Sequence, residues 1–409
     1  MKADLDRLME ADRIDAILIL PGEHPDPYRA YLSNGAHFSG MVIKQRGAAP
    51  VLIANLMEVE EAAHSGLTVY SFEDFDYGTL SREYKGDLAG LQAAWYRRVF
   101  EKLGVQGRIT IYGVGDINAA YSTILNLSQH LGDRIEFVPA QVRNNLFDRA
   151  YETKDADELA RLRDIGQRTS AAMRAAREWI AGHRAADGVV VKADGTPLTI
   201  GDVKHYVRMQ LFERNLEDAE GMIFAQGRDA ALPHSKGDDA EPLRLGQSIV
   251  FDLFPREPGG YFHDMTRTWS IGHAAPEVQA AYDHVMEAYR QSILACKPGV
   301  STREVQVLVC EYFEEFGHPT VLNTPGTASG YVHSLAHGVG LNVHEAPYFP
   351  TFSDTHTLRP GNLFTIEPGL YYPDRGFGVR VEDTVYLNEA GEVEILTDCP
   401  YDLVIELKG

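Results

Sequence analysis

Cysteine is scarce in this chain. The three residues, Cys296, Cys310 and Cys399, are scattered, odd in number and include no Cys-x-x-Cys pair. Neither a disulfide framework nor a thiolate zinc site is indicated. Long hydrophobic runs are missing too. The apolar stretch at 14–20 is short and follows acidic residues. It suits neither an export signal nor a membrane span, so the expected compartment is the cytoplasm, with no membrane partner. Basic residues are in deficit: 38 Lys plus Arg face 59 Asp plus Glu, for a formal net charge of −21. A nucleic-acid partner would want a basic stripe, and none is expected. The acidity itself selects no substrate, because surface charge also serves solubility. No Gly-Ser or Pro-rich linker, low-complexity tract or clear short repeat breaks the chain.

What is present fits a folded protein of two domains. At 409 residues the chain is long for one core. Its 44% apolar and 24% charged residues are those of a soluble globular protein. Runs rich in β-branched residues at 14–20, 41–45, 50–54, 68–72 and 108–113 predict short strands. Helical patterns fall at 86–104 and 118–131, which makes residues 1–150 an α/β domain. A charged, Ala-rich pattern over 152–182 predicts a long helix opening a second domain, 151–409. Further helices are predicted at 200–215, 276–295 and 302–317, and strands at 248–254, 266–272, 362–372 and 378–388. This order predicts an α+β domain, with helices covering one face of a curved, mostly antiparallel sheet.

Several acids lie inside these strands. Asp252 sits in IVFDLF, Glu367 in LFTIEPG and Glu382 in VRVEDTVYL. A buried, unpaired carboxylate is expensive, so such acids need partners, and a divalent cation would neutralise them together. In an extended strand Arg380, Glu382 and Thr384 share one face while Val379, Val381, Asp383 and Val385 share the other. Asp264 follows a Gly-Gly pair, so Asp252 and Asp264 can meet from two arms of a hairpin. The stretch YVHSLAHGVGLNVHEAP adds His333, His337 and His344 among glycines that allow close backbone approach. Four carboxylates and one imidazole fit two metal ions better than one. Such a donor set favours manganese or iron-like ions and also holds cobalt or zinc. A paired site can hold a bridging hydroxide, orient a carbonyl and stabilise the oxygen formed on attack, which is hydrolysis. Each residue alone also fits a structural role. Asp264 could pair with Arg267, Asp252 could accept backbone donors, Glu367 could end a strand at the surface, and His333 or His337 could serve a turn or core.

The stretches FDLFPREPGGYFHDMTRTW, HSLAHGVGLNVHEAP, FTIEPGLY and GVRVEDTV together resemble the creatinase and methionine-aminopeptidase superfamily, peptidase family M24. The nearest likeness is to the Xaa-Pro aminopeptidases and prolidases, strongest from about residue 220 to 390. The resemblance implies a pita-bread metallopeptidase catalytic domain preceded by a creatinase-like α/β N-terminal domain. It implies two divalent ions, manganese first, with cobalt, zinc or iron as alternatives. Their ligands would be Asp252, Asp264, His337, Glu367 and Glu382, with Asp264 and Glu382 bridging, Asp252 completing one metal, and His337 and Glu367 the other. Glu367 would act as general base or proton shuttle, and His344 would steady the tetrahedral intermediate. His333 and His234 would line the substrate side. Arg380 would hold a substrate carboxylate or a neighbouring active-site carboxylate.

The implied reaction is hydrolysis, through a metal-bridging hydroxide, of the amide between an N-terminal residue and a following proline. The substrate would be a small peptide with proline second, and the assembly a homodimer. The alternatives are an Xaa-Pro dipeptidase, a hydrolase or lyase acting on a non-peptide small molecule, and a metal-free binding scaffold, which the full ligand set opposes. One departure stands out. Asp252 and Asp264 are twelve positions apart, one more than the common family spacing, and Phe254 replaces the usual glycine two residues after the first acid. The PREP character of the insert is expected to lengthen the hairpin, with effects on access or specificity.

Overall fold

The computed structural model describes residues 2–408 apart from Thr355. The chain divides into two compact units, Met1–Ala150 and Tyr151–Gly409. Among the described residues, no helix is long and apolar enough to cross a membrane.

The first unit is a six-stranded sheet of β1 (Ala16–Ile19), β2 (Met41–Gln45), β3 (Val51–Ala54), β4 (Thr68–Ser71), β5 (Gly107–Tyr112) and β6 (Ile135–Phe137), in the order β4-β3-β2-β1-β5-β6. β1 runs parallel to β5 and antiparallel to β2, and all four of its residues are buried. Such a central strand reads as a continuous apolar run rather than an alternation. The helix Leu88–Leu103 starts where the Asp87 side chain accepts from Gly90 N, and stops at Gly104, whose φ of 69° suits the left-handed cap. Leu91, Trp95 and Val99 lie four residues apart along it and bury into the sheet's core.

The second unit opens with a helix shorter than the sequence pattern predicts. It spans Ala156–Ala181 because Asp155 and Glu158 form a capping box that fixes its start, leaving 152–155 outside the helix. A short hairpin follows, β7 (Arg184–Ala186) with β8 (Val189–Val191). The main sheet contains β9 (Ile223–Gln226), β10 (Ser248–Leu253), β11 (Met265–Ile271), β12 (His337–Gly338), β13 (Glu345–Tyr348), β14 (Leu363–Ile366) and β17 (Glu382–Leu387), in the order β13-β12-β14-β17-β11-β10-β9. β15 (Gly369–Tyr372) and β16 (Phe377–Arg380) pair separately, while β18 (Val393–Ile395) joins β17 and β19 (Val404–Ile405) joins β11.

Two predicted strands are therefore split. The run 362–372 breaks after Ile366, where Glu367 precedes Pro368, which has no N–H to give a ladder. The run 378–388 breaks at Val381, so its halves pair with different strands. The alternation predicted over 379–385 survives the break at Val381, with Val379, Val381 and Val385 in the core. Phe251, Leu253, Met265, Trp269 and Ile271 enter a core with the helices Ala156–Ala181 and Ile200–Glu213. Phe364, Ile366, Val385 and Leu387 enter a second core with the helices Pro276–Ala295 and Thr302–Glu315. Each such side chain contributes roughly 1.5–3 kcal/mol by burial. Those contributions offset the polar residues that the same strands carry at the intervening positions.

Candidate metal centre

Those intervening positions form two adjacent rows on the face turned away from the helices. In the first row, Asp252 of β10 pairs with Thr266 of β11, and Thr266 pairs with Glu382 of β17. The Thr266 hydroxyl donates to Glu382 Oε2 at 2.7 Å. In the second row, the Thr384 hydroxyl donates to the Asp264 carbonyl at 2.7 Å, and Thr384 pairs with Thr365 of β14. Thr365 Oγ1 accepts from the backbone N–H of His337 at 3.2 Å. The threonines fasten neighbouring strands so that the acids and the imidazole between them converge.

Ligand atoms of Asp264, His337 and Glu382 all lie within 4.8 Å of one another. Glu367, at the break after β14, approaches from the side: its Oε1 is 3.3 Å from His337 Nε2, which is also 3.7 Å from Asp264 Oδ2. The Asp252 carboxyl contacts that of Asp264. His337 Nδ1 lies 3.0 Å from the Gly338 carbonyl. A carbonyl can only accept, so Nδ1 carries a hydrogen, and Nε2 is the nitrogen turned toward the acids, donating to Glu367 when the ring is protonated and open to coordination when it is neutral. Arg267 does not pair with Asp264. It lies behind the sheet, 2.9 Å from Asp383.

The electrostatics are those of a site one positive partner short. Burial, then Glu382, Asp252 and Glu367, push Asp264 well above the usual carboxylate range. Burial, then Glu367 and Asp252, do the same to Glu382. Glu367 goes the other way: burial would raise it, but His337, His333 and Arg380 hold it at about 2. His337 is raised, because Glu367 and Asp252 outweigh the burial that opposes its charge. Asp252 Oδ1 and Asp264 Oδ1 are buried with no hydrogen-bond partner among the described residues. Unpartnered oxygens, crowded carboxylates and an imidazole lone pair fit a divalent cation.

Arg380 is almost wholly buried. Its guanidinium donates to Asp252 Oδ2 (2.6 Å), Thr266 Oγ1 (3.1 Å), Tyr371 Oη (2.8 Å) and the Pro233 carbonyl (3.4 Å). It is thus engaged with a neighbouring carboxylate. Since the arginine must donate to the Tyr371 oxygen, the phenol hydrogen is free to go to His333 Nε2, 2.8 Å away. His333 Nδ1 donates to the Ser334 carbonyl at 2.7 Å. Both His333 nitrogens are therefore used, and the ring presents an edge and a face rather than a free donor. His344 is exposed at the rim, its ring centroid 4.2 Å from that of His337. Desolvation of the ring, then His337, lowers it to about 4. His234 sits in an exposed turn, close enough to act electrostatically on His333 and His344.

Thr266 and Tyr371 were not singled out from sequence. Thr266 is two residues from Asp264, the same-face spacing in a strand, which is a usable signal. Tyr371 becomes visible only once the strand breaks at Pro368 and re-pairs with Arg380's own strand.

Residues 160–389 match metallopeptidase family M24. The chain belongs to this family. Among curated M24 relatives, it is 37% identical over 184 residues to "Probable dipeptidase PepE" of Mycobacterium bovis, a match covering 45% of this chain and 46% of the relative. That match thus spans about half of the relative's length. The Xaa-Pro dipeptidase of Pyrococcus horikoshii is 26% identical over 94% of this chain and 93% of its own length. Among solved structures, the Xaa-Pro dipeptidase from Bacillus anthracis has a TM-score of 0.75 at 24% identity, covering 98% of this chain and 99% of its own. An X-Pro aminopeptidase from Thermotoga maritima has a TM-score of 0.72 at 23% identity, covering 99% of each chain. At these identities the two structures speak for the M24 pita-bread fold.

Proposed function

We propose that the protein is a metal-dependent Xaa-Pro aminopeptidase, hydrolysing the amide between an N-terminal residue and a following proline. The observation that carries this reading is the buried convergence of Asp264, His337 and Glu382, flanked by Asp252 and Glu367. Asp264 and Glu382 would bridge two divalent ions, manganese in the first instance. Asp252 would complete one, and His337 with Glu367 the other. When bound, such a pair polarises the scissile carbonyl and lowers the pKa of water.

The chain's own residues supply the rest. Glu367 is ionised near neutrality and can take a proton, though a carboxylate held so low is a weak base. His344 is neutral at pH 7, so one ring nitrogen carries a hydrogen that can be donated to the developing oxyanion. Arg380 holds the Asp252 carboxyl in place, and Tyr371 fixes the tautomer of His333. His333 and His234 would line the approach to the substrate. We read residues 1–150 as a creatinase-like N-terminal domain, and the protein as a cytoplasmic homodimer.

A dipeptidase holds its substrate's C-terminal carboxylate with a free cation. Arg380 acts on His333 and Glu367, and its donors are already committed to Asp252, Thr266 and Tyr371. This supports the aminopeptidase reading. The names of the relatives support the dipeptidase reading equally. Comparing an Xaa-Pro dipeptide, an Xaa-Pro-Xaa tripeptide and its C-terminal amide separates the two. An aminopeptidase cleaves the tripeptide and its amide at similar rates. Cleavage restricted to the dipeptide would overturn our preference.

A further inference from the structure

Behind the candidate centre, a buried ion pair ties the start of the long helix to the histidine loop. Lys154 and Glu345 are 3% and 4% exposed, and Lys154 Nζ contacts Glu345 Oε1 directly. Nζ also donates to the Tyr151 carbonyl at 2.6 Å. The lysine is itself anchored: its N–H donates to the Gly361 carbonyl at 2.8 Å, and Thr153 bridges Asn362. A second acid lies close by. Glu158 accepts from the Tyr261 hydroxyl at 2.9 Å and feels the same ammonium group.

From Glu345 the path to the site is short. Glu345 pairs with Gly338 across β13 and β12. The Gly338 carbonyl receives the Nδ1 hydrogen of His337 and so sets which way Nε2 points. His344, whose ring packs on His337, immediately precedes Glu345. The loop between them closes around the carboxylate so tightly that a Cβ on Gly340 would lie 2.1 Å from Glu345 Oε1. The Gly340 carbonyl accepts from Phe262 N–H at 2.7 Å, which fastens the same loop to the hairpin bearing Asp264.

We propose that Lys154 and Glu345 are positioning residues: their ion pair sets the register of β13 on β12 and thereby aims His337 Nε2 and the His344 ring. This rests on the reading of His337 as a metal ligand and His344 as a substrate-side group. Neither Lys154 nor Glu345 touches the reacting atoms.

The test uses Lys154→Met, Glu345→Gln, the double variant Lys154→Met/Glu345→Leu, and Lys154→Arg. The full-length protein is stripped with chelator, and manganese binding is titrated calorimetrically. Turnover of an Xaa-Pro tripeptide and thermal midpoints are measured alongside. Outer residues that orient metal-binding histidines typically change affinity or activity about 10–100-fold. Single variants should weaken manganese binding by about tenfold or more and lower kcat more than KM, with Lys154→Arg restoring most of both. If a single variant fails to fold because it strands a buried charge, the double variant decides. Removing both charges leaves no buried ion behind and is often tolerated. A folded double variant with weakened manganese binding and low kcat supports positioning. Normal manganese affinity, kcat and KM with only a shifted midpoint would reduce the pair to structural support and overturn the proposal. If the parent protein cleaves no Xaa-Pro peptide, the proposed function fails, while the manganese titration still decides the positioning role.

Discussion

Neutralising Asp264 should flatten the pH dependence of the metal-free protein and, at the same time, abolish its response to metal. In the folded chain, burial and then Glu382, Asp252 and Glu367 raise Asp264, whereas an unfolded Asp titrates near 3.9. Just above about pH 4, the folded state keeps a proton that the unfolded state has released. Stability must then fall as pH rises, by about 1.4 kcal/mol per pH unit for each such group. Glu382 is raised in the same way, so the slope belongs to the pair. Asp264→Asn holds no titrating proton and should remove one group's share, up to about 1.4 kcal/mol per pH unit above about pH 4 for as long as the folded group keeps its proton. Metal reverses the sign, because its ligands bind ionised and its hold strengthens with pH. Manganese at 100 times its Kd would add about 2.7 kcal/mol. For a unit of this size each kcal/mol moves the midpoint by about 2–4 °C. Urea unfolding of stripped protein at pH 5, 6 and 7, with and without manganese, reads all of this. The parent should lose stability with rising pH when stripped and gain it when loaded, whereas the variant should lose it less steeply when stripped and show no manganese gain. Parallel profiles for parent and variant in the stripped state, or an undiminished manganese shift in Asp264→Asn, would refute the reasoning.

Other outcomes are expected at separate places. His337→Ala should lose metal occupancy and activity together, whereas His344→Ala should keep metal and lose about 10²–10³ in kcat, as when one oxyanion donor is removed; equal, near-normal activity in both would sink the assignment. Arg380→Met should cost the metal-free protein about 3–5 kcal/mol by stranding Asp252, read as a lowered urea midpoint that Arg380→Lys only partly restores. Gly338→Ala should destabilise by on the order of 2–4 kcal/mol, because its Cβ would lie 2.1 Å from the Ala346 carbonyl oxygen; an unchanged midpoint would contradict this. His318, 2.8 Å from His284, is lowered to about 4 by burial, then by His284 and Arg375. Stability held above pH 6.5 should be lost as pH falls toward 4, by about 3 kcal/mol for a dry ring and about 1–2 for this half-buried one, and His318→Gln should lose correspondingly less.

Much of this was legible in the sequence, and the exceptions have physical causes. The helix Pro276–Ala295 and the strand Met41–Gln45 follow their patterns because their boundaries are local: a proline at the first helical position and turn residues beyond the strand. Asp252, Glu367 and Glu382 stand out because acids inside apolar strands need a reason, and Asp264 because it follows a Gly-Gly turn that can bring it opposite Asp252. Lys154 does not, because it lies in a charged run that reads as solvated helix surface, and only its contact 191 residues away gives it a role. Asp155 and Glu158 carry a capping signal, and it starts the helix later than the charged pattern alone predicts. The strand break at Glu367 carries a local signal in Pro368, whereas the break at Val381 arises from pairing with different partners, which no local pattern encodes. Tyr371 and the commitment of Arg380 belong to the same class: each is defined by a neighbour brought in by tertiary structure.

The most direct measurement follows an Xaa-Pro-Xaa tripeptide by mass spectrometry with the protein as purified, stripped by chelator and reloaded with manganese. Release of the first residue that disappears on stripping and returns on reloading is the expected result. Absence of any metal-dependent cleavage of the tripeptide would contradict the assignment and direct attention to non-peptide substrates.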